Sequence, residues 1–126
     1  MERQPSYRFA NPNPCGKFVG DCVIRGLTIL LDSTWDEIYD DLYYVGKEMC
    51  DMPSSNEVWD EYLRTRGWNR SACPNCRSVI EFCRNHPYGR YLLATGSHVI
   101  AVINGDYYDI GDSGSEIPIY YYYRKE

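Results

Sequence analysis

The stretch HVIAVINGDYYDI, residues 98–110, holds two β-type runs around a two-residue break. Asn104-Gly105 suits a type I′ hairpin turn, which needs positive φ at both central positions. With a two-residue turn, Ile103 pairs with Asp106 and the register runs outward pair by pair. Ile100 then lies opposite Asp109, and His98 opposite Gly111. Side chains alternate along a strand, so 98, 100 and 102 share a face with 107, 109 and 111. His98 and Asp109 become diagonal neighbours within reach of each other, while Asp106 and Asp112 fall on the other face. A three-residue loop would flip this parity and remove Asp109 from the set.

Outward from the hairpin, residues 90–95 and 117–123 are also β-type runs, the second ending in Tyr120 to Tyr123. Tyrosine suits a half-buried pleated surface. The upstream half reads as helices. Val23, Ile24, Leu27, Leu30 and Leu31 give helical apolar spacing from about Asp21 to Leu31. Thr34 and Glu37 spell a capping box, followed by the stripe Ile38, Leu42, Val45 and Met49. A third helix begins near residues 54–57 and stops at Gly67. Ser78 and Glu81 form a second capping box, opening a short helix that Pro87 ends. Residues 1–19, rich in Pro, Asn and Gly, read as an irregular segment. The expected architecture is α+β: N-terminal helices, with a central one starting near Cys22, packed on a C-terminal antiparallel sheet in a single domain, 1–126.

The 126 residues are 44% hydrophobic with a formal charge of −5, enough to bury one core. No basic face emerges, so nucleic-acid and anionic-membrane partners are not expected. Nothing at the N-terminus reads as a signal peptide and no apolar run is long enough to span a bilayer, so a soluble, cytoplasmic chain is expected. In that compartment six cysteines read as reduced thiols, to be explained by packing, metal binding or catalysis.

Cys22 follows Gly20-Asp21 and opens the apolar helix. With Asp21 as N-cap, its thiolate would gain from the free amides and dipole of the helix start, and its own N–H could donate to an oxyanion. Alone, it reads first as a small buried hydrophobe, as a free cysteine usually is. The hairpin supplies what a reactive thiol needs: His98 as a base, and Asp109 to hold the imidazole in one tautomer and orientation.

The order Cys22 at the helix start, His98 on one strand and Asp109 on the next resembles the papain-like cysteine peptidase fold. The resemblance rests on residues 20–22 (GDC), 96–102 (GSHVIAV) and 107–109 (YYD). It points to compact bacterial and phage versions, including the peptidase domains of bacteriocin exporters. The chain is similar also to small phage-encoded proteins of unassigned function with a GDC helix start and an HVIAV hairpin. The resemblance implies a thiol hydrolase of a bacterial cytoplasm, phage-encoded in some relatives, acting on a protein or peptide substrate without a cofactor. It assigns Cys22 as nucleophile, His98 as general base and acid, and Asp109 as orienting residue. Many such enzymes carry a Gln about six residues before the nucleophile as second oxyanion donor, worth ~3 kcal/mol. Gly16 stands there instead, and Asn13 is the nearest upstream amide, with Asn11 and Lys17 as further choices. A papain-like protein that acts by binding a partner is the alternative.

Cys73 and Cys76, followed by Cys83 and His86, spell C-x2-C-x6-C-x2-H. Four such ligands can hold structural zinc, although the middle spacing is short for a finger and Cys83 and His86 fall on the short helix. A redox CxxC would open a helix after a strand. Loop cysteines of no special role are the simplest reading, so no metal site is expected. Asp36, Glu37, Asp40 and Asp41 read as the solvated face of their helix.

Overall fold

The computed structural model describes residues 4–124. Its elements are β1 (Tyr7–Phe9), α1 (Cys22–Leu30), α2 (Trp35–Glu48), α3 (Asn56–Arg64), β2 (Asn69–Ala72), α4 (Val79–Asn85), β3 (Arg90–Ala94), β4 (Val99–Ile103), β5 (Asp106–Asp109) and β6 (Tyr120–Tyr123). The α+β expectation holds at that level: four helices accompany a six-stranded open sheet of order β1-β5-β4-β3-β6-β2.

Two expectations about the strands need correction. The sheet is mixed, not antiparallel, because β1 pairs in parallel with β5, Phe9 lying against Asp109. Residues 1–19 are therefore not wholly irregular. A three-residue strand is too short to show alternation, and it forms because the β5 edge offers partners: Tyr107 N–H donates to Ser6 O at 3.1 Å and Ala10 N–H to Asp109 O at 3.0 Å. Arg8 adds an ion pair to the buried Asp106. At the opposite edge β2, polar in sequence, pairs antiparallel with the tyrosine strand β6.

The two-residue turn forms as expected. Ile103 pairs with Asp106, and Asn104 and Gly105 take φ of 50° and 80°. β4 reads as an unbroken apolar run because both its faces are covered, the usual cause of non-alternating strands. Val99 and Ala101 face a core built by α1, α2 and α3 around Leu27, Leu30, Trp59 and Leu63. Ile100 and Val102 face a second cluster, with Val79, Phe82 and Cys83 of α4. The hydroxyl half of each capping box is realised, Glu37 N–H donating to Thr34 Oγ1 at 3.1 Å and Glu81 N–H to Ser78 Oγ at 3.0 Å, while the Glu37 carboxylate accepts from the Ser33 hydroxyl at 2.8 Å.

Cys73 and Cys76 are joined as a disulfide, against the expectation of reduced thiols with no special role. The turn between them, closed by Cys76 N–H to Cys73 O at 3.2 Å, brings the two Cα atoms to 5.4 Å, within disulfide range. Among the described residues no helix is long and apolar enough to cross a membrane.

Candidate active site

Cys22 is the first residue of α1 because the backbone of Asp21 stands outside the helix, with φ −112° and ψ 28°. Asp21 occupies the N-cap position as expected, yet its side chain makes no capping bond. Its buried carboxylate is engaged elsewhere. It accepts from Arg25 Nη1, from Trp35 Nε1 at 2.9 Å and from Asn13 Nδ2 at 3.5 Å. The start of α1 thus carries no side-chain cap, and its first amides have no side-chain acceptor from Asp21.

His98 closes the turn between β3 and β4, where Thr95 N–H holds its carbonyl at 2.8 Å. Asp109 ends β5. Its carbonyl accepts from Ala10 N–H and, at 3.1 Å, from the Tyr7 hydroxyl. Its Oδ1 accepts from Ile110 N–H at 2.8 Å and from Arg25 Nη2 at 3.5 Å. The other carboxylate oxygen, Oδ2, accepts from His98 Nε2. That leaves Nδ1 as the ring nitrogen for Cys22, which hydrogen-bonds His98.

Electrostatics follow from these contacts. Burial pushes the Cys22 thiol up, but the His98 hydrogen bond and charge, the Val99 backbone and Arg25 together bring it below the ordinary thiol value. His98 is raised to about 10, first by its bond to Asp109 and then by Cys22, against the opposing effect of burial. Burial pushes Asp109 up as well, and His98 with the Ile110 amide brings it below the carboxylate range. Each shift favours a thiolate–imidazolium pair backed by a carboxylate, the state in which a thiol is nucleophilic near neutral pH.

Cys22, His98 and Asp109 are therefore brought together. Asn13 lies at the margin of the site, bonded to Asp21, while its Oδ1 accepts from Cys15 N–H at 2.9 Å. Asn11 Nδ2 donates to the Lys17 carbonyl at 3.1 Å, closing the loop that precedes α1. Asp106 and Asp112 go elsewhere, to Arg8 and to the Tyr107 hydroxyl. Two neighbours escaped the sequence reading. Arg25 is 4% exposed and bridges Asp21 and Asp109, and Trp35 holds Asp21. The one signal was an arginine four residues after an aspartate in an otherwise apolar helix.

Cys73, Cys76, Cys83 and His86 do not assemble. His86 Nδ1 lies 2.8 Å from the Phe82 carbonyl, and Cys83 is buried with its thiol pushed up to about 12. Among the described residues no group of three or more His, Cys, Asp or Glu side chains is placed to hold a metal ion.

A cleft of about 970 Å³ lies away from these residues, at the C-terminal end of α1 between Leu30, Trp68, Arg90 and Tyr123. Arg90 there is committed to the helix end, donating to the Ile29 and Leu30 carbonyls at 3.1 and 3.0 Å. Convergent chemistry, rather than volume, places the candidate site at the N-terminal end of that helix. No family model matches the chain, and neither the curated proteins nor the solved structures contain a significant match to it.

Proposed function

We propose that the protein is a papain-like thiol hydrolase that cleaves an amide, isopeptide or thioester bond through an acyl-enzyme. The observation that carries this reading is the chain Cys22–His98–Asp109, with His98 Nε2 held by Asp109 and the other ring nitrogen left for the thiol. In the first step the Cys22 thiolate bonds to the carbonyl carbon, and the leaving group departs with a proton from His98. In the second, His98 takes a proton from water, which attacks the thioester and regenerates Cys22. The Cys22 amide is the donor offered to the oxyanion, and the Asn13 carboxamide, bonded to Asp21, would have to turn to join it.

A protein or peptide substrate is supported by an apolar flank. Phe9, beside Asp109 in register, and Phe18, four residues before Cys22, are 61% and 66% exposed and meet edge to face at 6.3 Å. Large exposed apolar side chains beside a reactive group suit the side chains of a bound polypeptide. The second reading, a papain-like protein that binds without cleaving, draws on the oxyanion side. Gly16 leaves that donor position without a side chain, and the Asn13 amide is turned toward Asp21.

An activated acyl ester separates the two. With p-nitrophenyl acetate, a hydrolase releases a burst of nitrophenolate, carries the acetyl group on Cys22 and turns over. Cys22→Ala abolishes the burst, and His98→Ala slows it by roughly 100-fold or more. Acetyl groups spread without preference over the exposed Cys15 and Cys50 contradict the hydrolase reading.

A further inference from the structure

Arg25 lies on α1 one turn beyond Cys22, with its side chain 5% exposed. A guanidinium so deeply buried is costly unless every side of it is matched. Here it is matched by three groups. Nη1 donates to the Val19 carbonyl at 3.2 Å and to Asp21 Oδ1, and Nη2 reaches Asp109 Oδ1 at 3.5 Å. Val19 and Asp21 precede the nucleophile directly, and Asp109 ends a strand from the far part of the chain. The fork geometry of arginine lets one side chain hold both, which the single ammonium of a lysine cannot reproduce.

We propose that Arg25 is a positioning residue of the candidate site: by bridging Asp21 and Asp109 it fixes the carboxylate that orients His98 against the helix start that carries Cys22. The inference rests on the thiol-hydrolase reading. Asp109 has two oxygens and three side-chain or amide donors. Arg25 and the Ile110 amide occupy Oδ1, so the carboxylate cannot rotate without breaking both, and Oδ2 stays aimed at His98. Asp21 is locked likewise, Trp35 and Asn13 holding the oxygen that Arg25 leaves free. The guanidinium also favours the anionic form of Cys22, alongside His98. The charged and titratable groups facing this cluster are Asp21 and Cys22 from the start of α1, His98 before β4, Asp109 of β5 and Tyr7 of β1.

The test is the pH profile of Cys22 alkylation by iodoacetamide, with the modified cysteine identified by mass spectrometry, in the wild type, R25M and R25K. Removing the charge in R25M is expected to move the acid limb of the profile up by about one pH unit, so that labelling near pH 6 falls about tenfold. R25K keeps the charge and recovers most of that shift, but its plateau rate falls several-fold because one ammonium cannot hold both carboxylates. A merely structural arginine lowers the melting temperature and leaves both limb and plateau unchanged in the folded protein. A folded R25M with a wild-type limb, or, where R25M does not fold, a folded R25K with a wild-type plateau, overturns the inference. Those results leave the hydrolase reading standing. A wild-type Cys22 no more reactive than Cys15 overturns both.

Discussion

At the scale of single residues, the site lines up Asp21, Arg25, Asp109, His98 and Cys22, whose thiol is lowered by its neighbours. Its pH behaviour follows. His98 titrates near 10 in the fold against about 6.5 unfolded, so its bond to Asp109 stabilises fully below 6.5 and is lost as pH rises toward 10. Asp109 is depressed, so its share is present above its unfolded value near 3.8 and is lost as pH falls below it. Cys22, also depressed, runs in the opposite sense to His98, and a Cys22→Ala background removes it. In that background Asp109 alone raises His98, so the stability lost on His98→Ala, read by urea denaturation, should be largest between pH 3.8 and 6.5 and shrink as pH rises above 6.5. A loss that grows with alkaline pH contradicts the assignment. Cys22, His98 and Asp109 were legible in the sequence as a helix-start thiol and two hairpin residues, but strand parity does not account for their meeting. The paired register of β4 and β5 ends at Ala101 and Tyr108, and α1 packs on the Val99 and Ala101 face. Arg25 and Trp35 were not legible, since the partners of a buried arginine or indole come from elements that meet only in the fold.

At the scale of elements, α1 and the β4–β5 hairpin set the distances. Gly26 lies where α1 crosses the sheet, and a Cβ there would stand 3.0 Å from Leu92 Cδ1 and 3.2 Å from Val99 Cγ1. Alanine in place of glycine gains up to ~1 kcal/mol of helix propensity, but overpacking a filled core costs ~1–3 kcal/mol. Leu92 and Val99 are both buried, so the second effect should win. Gly26→Ala is expected to lower stability by ~1 kcal/mol and to slow Cys22 alkylation, because Val99 adjoins His98 and contributes its backbone to the thiol. A more stable variant with unchanged labelling would show that the helix has room to move. The helix starts at Thr34 and Ser78 were readable because a capping box satisfies amides within four residues. β1 and β2 were not readable. One has three residues and the other is polar, and each exists because a neighbouring edge offers unpaired groups.

At the scale of the whole molecule, a mixed sheet separates two apolar clusters, and the start of α1 meets the start of β4 and the end of β5 at one end of it. The expectation of an antiparallel sheet failed at a single strand, β1, whose pairing partner lies about a hundred residues away in the chain. That strand adds Phe9 and the Tyr7 hydroxyl to the surroundings of Asp109. The fold also sorts the thiols. Cys15 and Cys50 are exposed, Cys22 is half-buried, Cys83 is buried, and Cys73 and Cys76 are paired. Access alone would therefore rank Cys22 behind Cys15 and Cys50, whereas a thiol lowered by His98 would react ahead of its exposure. An ordinary thiol with a pKa near 8.5 is only about 0.3% ionised at pH 6. The direct measurement is competitive alkylation of the native protein with limiting iodoacetamide near pH 6, resolved cysteine by cysteine. Expected is Cys22 labelled first, by at least tenfold over Cys15 and Cys50, with Cys83 last and the preference lost in His98→Ala. Labelling that follows exposure, with Cys15 and Cys50 ahead of Cys22, would contradict a thiolate held by His98.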